Sequence, residues 1–235
     1  MPKRNLLLAS LSPADFGAIQ PHLRLIPLEH RKILYESGDP IGTVYFPTTA
    51  IVSLVVGLST GEMVEAAMVG RDGIVGASSA LDGRISLSRA IVQIAGDSFI
   101  CEVDALKGAA LQSHTFLSKL IRHEQTVYSQ AQQSTACMAT HDVEARLCRW
   151  LLRARDLSGS DTLLFTQEFL AEMLGVRRTS VTTTAHTIQR AGIIKYSRGK
   201  IQILDLEALR EAACECYATV NANYRSLLGL SLQDE

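Results

Sequence analysis

The most informative stretch of the chain is Thr166-Gln167-Glu168-Phe169-Leu170-Ala171-Glu172-Met173-Leu174-Gly175-Val176-Arg177-Arg178-Thr179-Ser180-Val181, followed after a short interval by Arg190-Ala191-Gly192-Ile193-Ile194. Two helical patterns, at about residues 167–174 and 178–191, flank a turn at Gly175-Val176. A helix-turn-helix sets its second helix at a steep angle to the first, so a short turn with a glycine and an apolar residue is a mechanical requirement. Leu170, Ala171, Leu174, Val181 and Ile188 supply the buried side, leaving Arg177, Arg178, Thr179, Ser180, Thr182 and Thr183 at the polar, cationic start of the second helix. In a DNA reader that end enters the major groove, where Arg forks onto guanine O6 and N7 and Ser or Thr bonds bases or touches the thymine methyl. Two short β runs, 193–196 and 200–204, surround Ser197-Arg198-Gly199, and Arg198 and Lys200 there fit a wing that touches the DNA backbone. His186, on the second helix, is equally well read as a DNA contact or as an exposed residue.

Charge distribution supports this reading where total charge does not. The 235 residues carry a formal charge of -1, yet between Met173 and Leu204 stand Arg177, Arg178, Arg190, Lys195, Arg198 and Lys200 with no Asp or Glu. That block is +6, and neutralisation of phosphate by Lys and Arg dominates DNA affinity. With 47% apolar and 20% charged residues the chain lies in the globular range, far from the composition of disorder. Its longest apolar stretches, such as residues 50–58, are about half of the roughly 20 residues that span a bilayer, so no membrane partner is expected. Lys3 and Arg4 precede only a brief apolar patch, residues 6–9, too short for a secretion signal, and a cytoplasmic location is expected. Five cysteines without a CxxC suit reduced thiols.

Upstream, residues 31–103 read as short β-rich runs broken by turn chemistry at Ser37-Gly38-Asp39-Pro40, Ser59-Thr60-Gly61, Gly70-Arg71-Asp72-Gly73 and Gly96-Asp97, which suggests a sandwich or barrel. From Leu111 this punctuation stops and helical spacing begins. Leu117, Ile121, Glu124, Tyr128, Ala131, Thr135 and Met138 alternate steps of four and three, an imperfect heptad seam. A helix of about 25 residues spans roughly 37 Å, long for burial within one small domain, so a parallel homodimer stalk is favoured over a helix packed on its own domain. Asp142 then caps a helix over 143–155 with Leu147, Trp150, Leu151 and Ala154 on its apolar stripe.

These motifs in this order resemble the Crp/Fnr family of bacterial transcription regulators, and the resemblance covers nearly the whole chain: Gly38-Asp39 and Tyr45-Phe46-Pro47 in the β-rich part, the long helix, Glu144-Ala145-Arg146-Leu147-Cys148-Arg149-Trp150-Leu151, and the helix-turn-helix. It implies an α+β protein with an antiparallel, jelly-roll-like β-roll sensor domain over 1–110, a dimerisation helix over 111–140, and a winged helix-turn-helix over 141–235 with an extra C-terminal helix. It further implies a homodimer on a near-palindromic duplex, with RNA polymerase as a further partner. By position Arg178 matches the base-reading arginine, while Thr166, Gln167 and Arg177 fall where relatives contact phosphate. Thr179 and Thr183 stand where many relatives carry Glu and a second Arg, so a different operator is implied.

The nucleotide cassette of cyclic-nucleotide-binding relatives is damaged: Gly76-Ala77 stands for Gly-Glu, and Ser88-Arg89-Ala90 for Arg-Ser or Arg-Thr and Ala. Arg84, Ser86, Ser88 and Arg89 are the candidates to hold some other small anion, cyclic AMP is not expected, and the effector is unidentified. No cofactor and no metal are expected. Clusters need grouped thiolates; Cys137 and His141 share a helical face but show no third ligand, and Cys214-x-Cys216 falls in a helical pattern of Leu206, Leu209, Ala213, Tyr217, Val220, Tyr224 and Leu227 that reads as buried thiols. A cupin-like metalloenzyme would need several His on neighbouring strands, and residues 31–103 hold none. There is no G-x-S-x-G elbow, and no enzyme is expected. The alternative is a signalling module that binds a cyclic nucleotide or other small anion without acting on DNA, which leaves the basic hairpin unexplained.

Overall fold

The computed structural model describes residues 4–230; Lys3 and the extreme ends of the first and last expected domains lie outside them. Two short helices, α1 (Leu6–Ala9) and α2 (Pro13–Ile19), open the chain. Both begin on side-chain caps that accept an orphan N–H, Asn5 from Leu8 and Ser12 from Asp15. Seven strands follow: β1 (Arg24–Leu28), β2 (Ile33–Tyr35), β3 (Thr43–Pro47), β4 (Ile51–Gly57), β5 (Met63–Val69), β6 (Arg89–Ile94) and β7 (Gly96–Glu102). They form two antiparallel sheets of order β1-β7-β3 and β2-β6-β4-β5. Val44, Phe46, Val52, Val69, Val92, Phe99 and Cys101 are buried between them and against the helices that follow.

The Gly96-Asp97 pair, read as a turn, instead starts β7 one residue after β6 ends. Glycine is needed there because a Cβ would stand 2.6 Å from the Ala50 nitrogen, a backbone approach that sequence spacing does not reveal. The helical half also starts earlier than Leu111, as two helices, α3 (Val103–Leu111) and α4 (His114–Thr140). Ser113 separates them by capping the Phe116 N–H.

One face of α4 packs on its own chain through Phe116, Leu120, His123, Thr126, Gln130, Ser134 and Cys137. This inward stripe is largely polar, which hid it from a search for apolar periodicity. Gln130 accepts from the Met68 N–H at 2.6 Å and donates to the Met68 carbonyl and the Tyr224 hydroxyl; His123 Nε2 accepts from the Ile74 N–H. Buried polar groups must be paired, and here the partner is the backbone of β5 and the loop after it.

After α4 come α5 (Val143–Ser158), β8 (Thr162–Leu164), α6 (Gln167–Leu174), α7 (Arg178–Arg190), β9 (Ile194–Ser197), β10 (Lys200–Ile203), α8 (Leu206–Ala212) and α9 (Cys216–Leu228). Asp142 caps α5 by accepting from the Ala145 N–H, and the small sheet runs β8-β10-β9. The expected single helix through Cys214 is two, because Ala213 is extended at φ -81° and ψ 150°. Helix α9 turns back to pack on α4, and its Val220, Tyr224 and Leu228 complete the core of the β-roll. A second core, built on Trp150 and Leu151 with α6, α7 and the small sheet, includes Ile51, Val55 and Met68 of the roll. Glu65 on β5 accepts from the Trp150 indole at 3.0 Å across this seam, and Arg153 on α5 pairs with buried Asp72.

Candidate nucleic-acid interface

The helix-turn-helix is set by three local devices. Thr166 caps α6 by accepting from the Phe169 N–H. Gly175 ends that helix at φ +61°, a left-handed conformation that favours glycine, and also lies where a Cβ would meet Val64 of β5 at 2.9 Å. Val181, Ala185 and Ile188 then bury one side of α7. The N-cap of α7, Arg177, makes no side-chain bond to the helix, so the first amides remain at the positive end of the helix dipole.

Arg177, Arg178, Thr179 and Thr183 are exposed, whereas Ser180 and Thr182 are half-buried. Thr182 donates to the Gln167 side chain at 2.7 Å, locking two of the expected contact residues to each other and α6 to α7. The wing turns at Arg198 and Gly199, both with positive φ (51° and 76°), the tight hairpin geometry whose twist matches the strands. Tyr196 on β9 donates its hydroxyl to the Phe165 carbonyl, tying the wing to the start of α6. As a result Thr166, Gln167, Arg178, His186, Gln189 and Arg198 line one open cleft between α6, α7 and the wing. Lys200 is exposed at the first position of β10. His186 and Gln189 join this cleft; Gln189 was missed because it sits beyond the helix start, and its side chain also accepts from the Tyr196 N–H.

The sensor candidates divide. Arg84, Ser86 and Ser88 line a cavity of about 540 Å³ between the roll and α4, together with Tyr35, Leu54, Ile74, Val127 and the acidic Asp82 and Glu124. Arg89 is not among its walls and instead pairs with Glu36 at 2.8 Å. Arg84 faces Asp104 at 3.6 Å and Asp82 at 4.0 Å, so its charge is already answered. The Ser86 hydroxyl donates to the Ser88 carbonyl.

The seven heptad residues lie away from the polar face of α4. Ile121 is 50% and Tyr128 65% exposed, and Leu117, Glu124, Ala131 and Met138 are half-buried, with Thr135 exposed. At the end of the same helix the structure supplies what the sequence did not: Cys214 and Cys216 lie beside Cys137 and His141. The third ligand was missed because it comes from a segment more than seventy residues away, between α8 and α9.

Residues 145–212 match the Crp-like helix-turn-helix domain. No curated protein matches the chain in sequence. Among solved structures, FixK2 from Bradyrhizobium japonicum superposes with a TM-score of 0.71 at 17% identity, over 82% of this chain and 98% of its own. TTHB099, a CRP-family transcriptional regulator from Thermus thermophilus, gives 0.65 at 20% identity over 89% and 100%. TTHA1359, a CRP/FNR-family regulator from the same organism, gives 0.67 at 23% over 81% and 98%. These likenesses speak for the shared fold. No helix among the described residues is long and apolar enough to cross a membrane.

Proposed function

From a Crp-like helix-turn-helix domain over residues 145–212 and a fold shared with Crp/Fnr regulators, we propose that this chain is a Crp/Fnr-type transcription regulator that binds a near-palindromic duplex as a homodimer. The observation that carries the proposal is the cleft in which the cap of α6 meets the exposed start of α7 and the wing tip, the last two belonging to an acid-free segment of charge +6. Arg178 reads a base in the major groove; Thr166, Gln167 and Arg177 hold phosphate beside the uncapped amides of α7. Thr179, Ser180, Thr182 and Thr183 supply hydroxyls to the groove, Thr182 after releasing Gln167. Arg198 and Lys200 grip the backbone from the wing.

The dimer forms along Leu117, Ile121, Glu124, Tyr128, Ala131, Thr135 and Met138, and the half-sites are spaced by about one turn, roughly 34 Å. Cyclic AMP is not the effector. The Arg84 guanidinium faces Asp104 and Asp82, Arg89 is turned away to Glu36, and Glu124 among the cavity walls opposes a phosphate. A cavity with these walls suits a small neutral molecule with an apolar body, which acts only if it binds two conformations unequally. RNA polymerase is the further partner of a regulator of this kind.

Selection from a random duplex library, followed by salt-dependent gel shifts, tests the reading. A palindromic consensus is expected, with Arg178→Ala weakening the selected site by about 1–3 kcal/mol and relaxing one base position. No enrichment, or equal losses on selected and random duplexes, would overturn the role of Arg178.

A further inference from the structure

We infer that Cys137, His141, Cys214 and Cys216 bind one zinc ion, which clamps the end of α4 to the start of α9. Cys137 lies in the last turn of α4 and His141 is its C-cap; Cys214 lies in the extended link after α8 and Cys216 begins α9. One sulfur or ring nitrogen from each lies within 4.8 Å of all the others. Cys137 Sγ and Cys214 Sγ are 3.5 Å apart, and Cys216 Sγ is 3.6 Å from His141 Nδ1. Zn–S bonds near 2.3 Å and Zn–N bonds of about 2.0–2.1 Å put the edges of a tetrahedron at about 3.8 Å for S···S and about 3.5 Å for S···N. These two pairs are close to those edges, and the other four, all within 4.8 Å, would draw in around an ion.

Two surrounding side chains favour an ion over a chance meeting of thiols. His141 presents Nδ1 to the cluster while its Nε2 faces the Glu215 carboxylate at 3.2 Å. This carboxylate–histidine arrangement fixes ring orientation and raises the basicity of the ligating nitrogen. Gln133 donates to Cys216 Sγ at 3.1 Å, a bond that a thiolate accepts more strongly than a thiol.

The donor set also selects the ion. Three sulfurs and one nitrogen at tetrahedral spacing suit zinc, and hard oxygen-seeking cations are excluded. A two-iron cluster would spread its four ligands over two metal atoms, wider than this group. With four protein ligands no position is open for substrate, so the ion is structural. Its effect is local and specific. The joint between the long helix and the DNA reader is His141-Asp142, and the ion fixes that joint to α9, which packs on the roll.

The test uses the full chain purified without chelator. Elemental analysis should find one zinc per chain, and cobalt(II) exchanged into the site should give the intense visible bands of tetrahedral coordination with thiolate charge transfer. Glu215→Gln, at a side chain 75% exposed and therefore harmless to folding, should weaken zinc binding about 10- to 100-fold with an unchanged circular dichroism spectrum. Cys214→Ser should lose the ion or reduce the charge-transfer intensity by about one third. Less than about a tenth of a zinc per chain after incubation with zinc chloride and dialysis would overturn the inference, as would octahedral cobalt spectra, bound iron, or a Cys137–Cys214 disulfide in the protein as isolated.

Discussion

Removing the carboxylate of Asp72 should be among the most damaging single changes available to this chain. Asp72 is fully buried in the loop after β5, and the Arg153 guanidinium donates to it at 2.5 Å from α5. Asp72 also accepts from the Gly70 N–H. The guanidinium has few other resources: among the described residues Nε and Nη1 lack hydrogen-bond partners, the Met68 carbonyl is 3.5 Å from Nη2, and the ring of Tyr224 lies 4.6 Å away. Burial works against the arginine's charge, but Asp72, Tyr224 and Asp156 outweigh it and hold the group protonated. In Asp72→Ala this cation stays buried with its hydrogen-bonded carboxylate gone and only Asp156 left to oppose its charge, and breaking such a buried pair costs about 3–5 kcal/mol. Against a total stability of about 5–15 kcal/mol for an ordinary protein this is a large share. Urea unfolding at pH 7 with the slope checked for constancy measures it. The decisive control is Asp72→Ala with Arg153→Met, which removes both charges and should recover at least about 2 kcal/mol over Asp72→Ala alone. A loss under about 1 kcal/mol, or strictly additive losses in the pair, would refute the account.

Glu65 gives a pH signature. Its burial on β5 pushes the carboxyl from the usual 4.5 up to about 7, against the opposing bonds from Ser53 and Trp150. The folded state therefore keeps a proton that the unfolded chain releases, so the stabilisation is complete below about pH 4.5 and is lost as pH rises through 7, about 3 kcal/mol in all. Glu65→Gln should flatten that part of the stability profile between pH 5 and 8, and a persisting slope would assign it elsewhere. At the α4 seam, Ile121→Glu with Tyr128→Glu places charge on two exposed apolar positions and should convert a dimer to a monomer in sedimentation; an unchanged mass would place the dimer elsewhere. Gly175→Ala should cost about 1–2 kcal/mol from the left-handed backbone alone, plus the push of the new methyl against Val64. Val64→Ala should relieve only the second part, as thermal melts of the double variant would show.

What was legible in the sequence was local. The Gly175 turn, the apolar stripe of α7 and the Arg198-Gly199 hairpin are each encoded within a few neighbouring residues, and they yielded the order helix, turn, helix, hairpin of the reader half. Strands β2 to β6 were legible from β-rich runs broken by local turn chemistry. Strand β1 escaped because it begins in a segment with Pro27 and only one buried residue, Leu28, and β7 because its glycine answers a distant backbone. The inward face of α4 was hidden by its chemistry, since His123, Thr126 and Gln130 do not look like a core. The thiols of Cys214 and Cys216 were read as inert because nothing near them in sequence names their neighbours.

That inward face limits how the long helix can move. An oily stripe tolerates sliding, since one methyl group replaces another with little change in energy. Gln130 instead clasps both polar atoms of the Met68 peptide unit while His123 meets the Ile74 amide two turns earlier, so α4 engages the roll like a key cut for one depth. A shift by a single residue would unseat both teeth together and strand buried amides. The shaft must therefore travel with the roll as one piece.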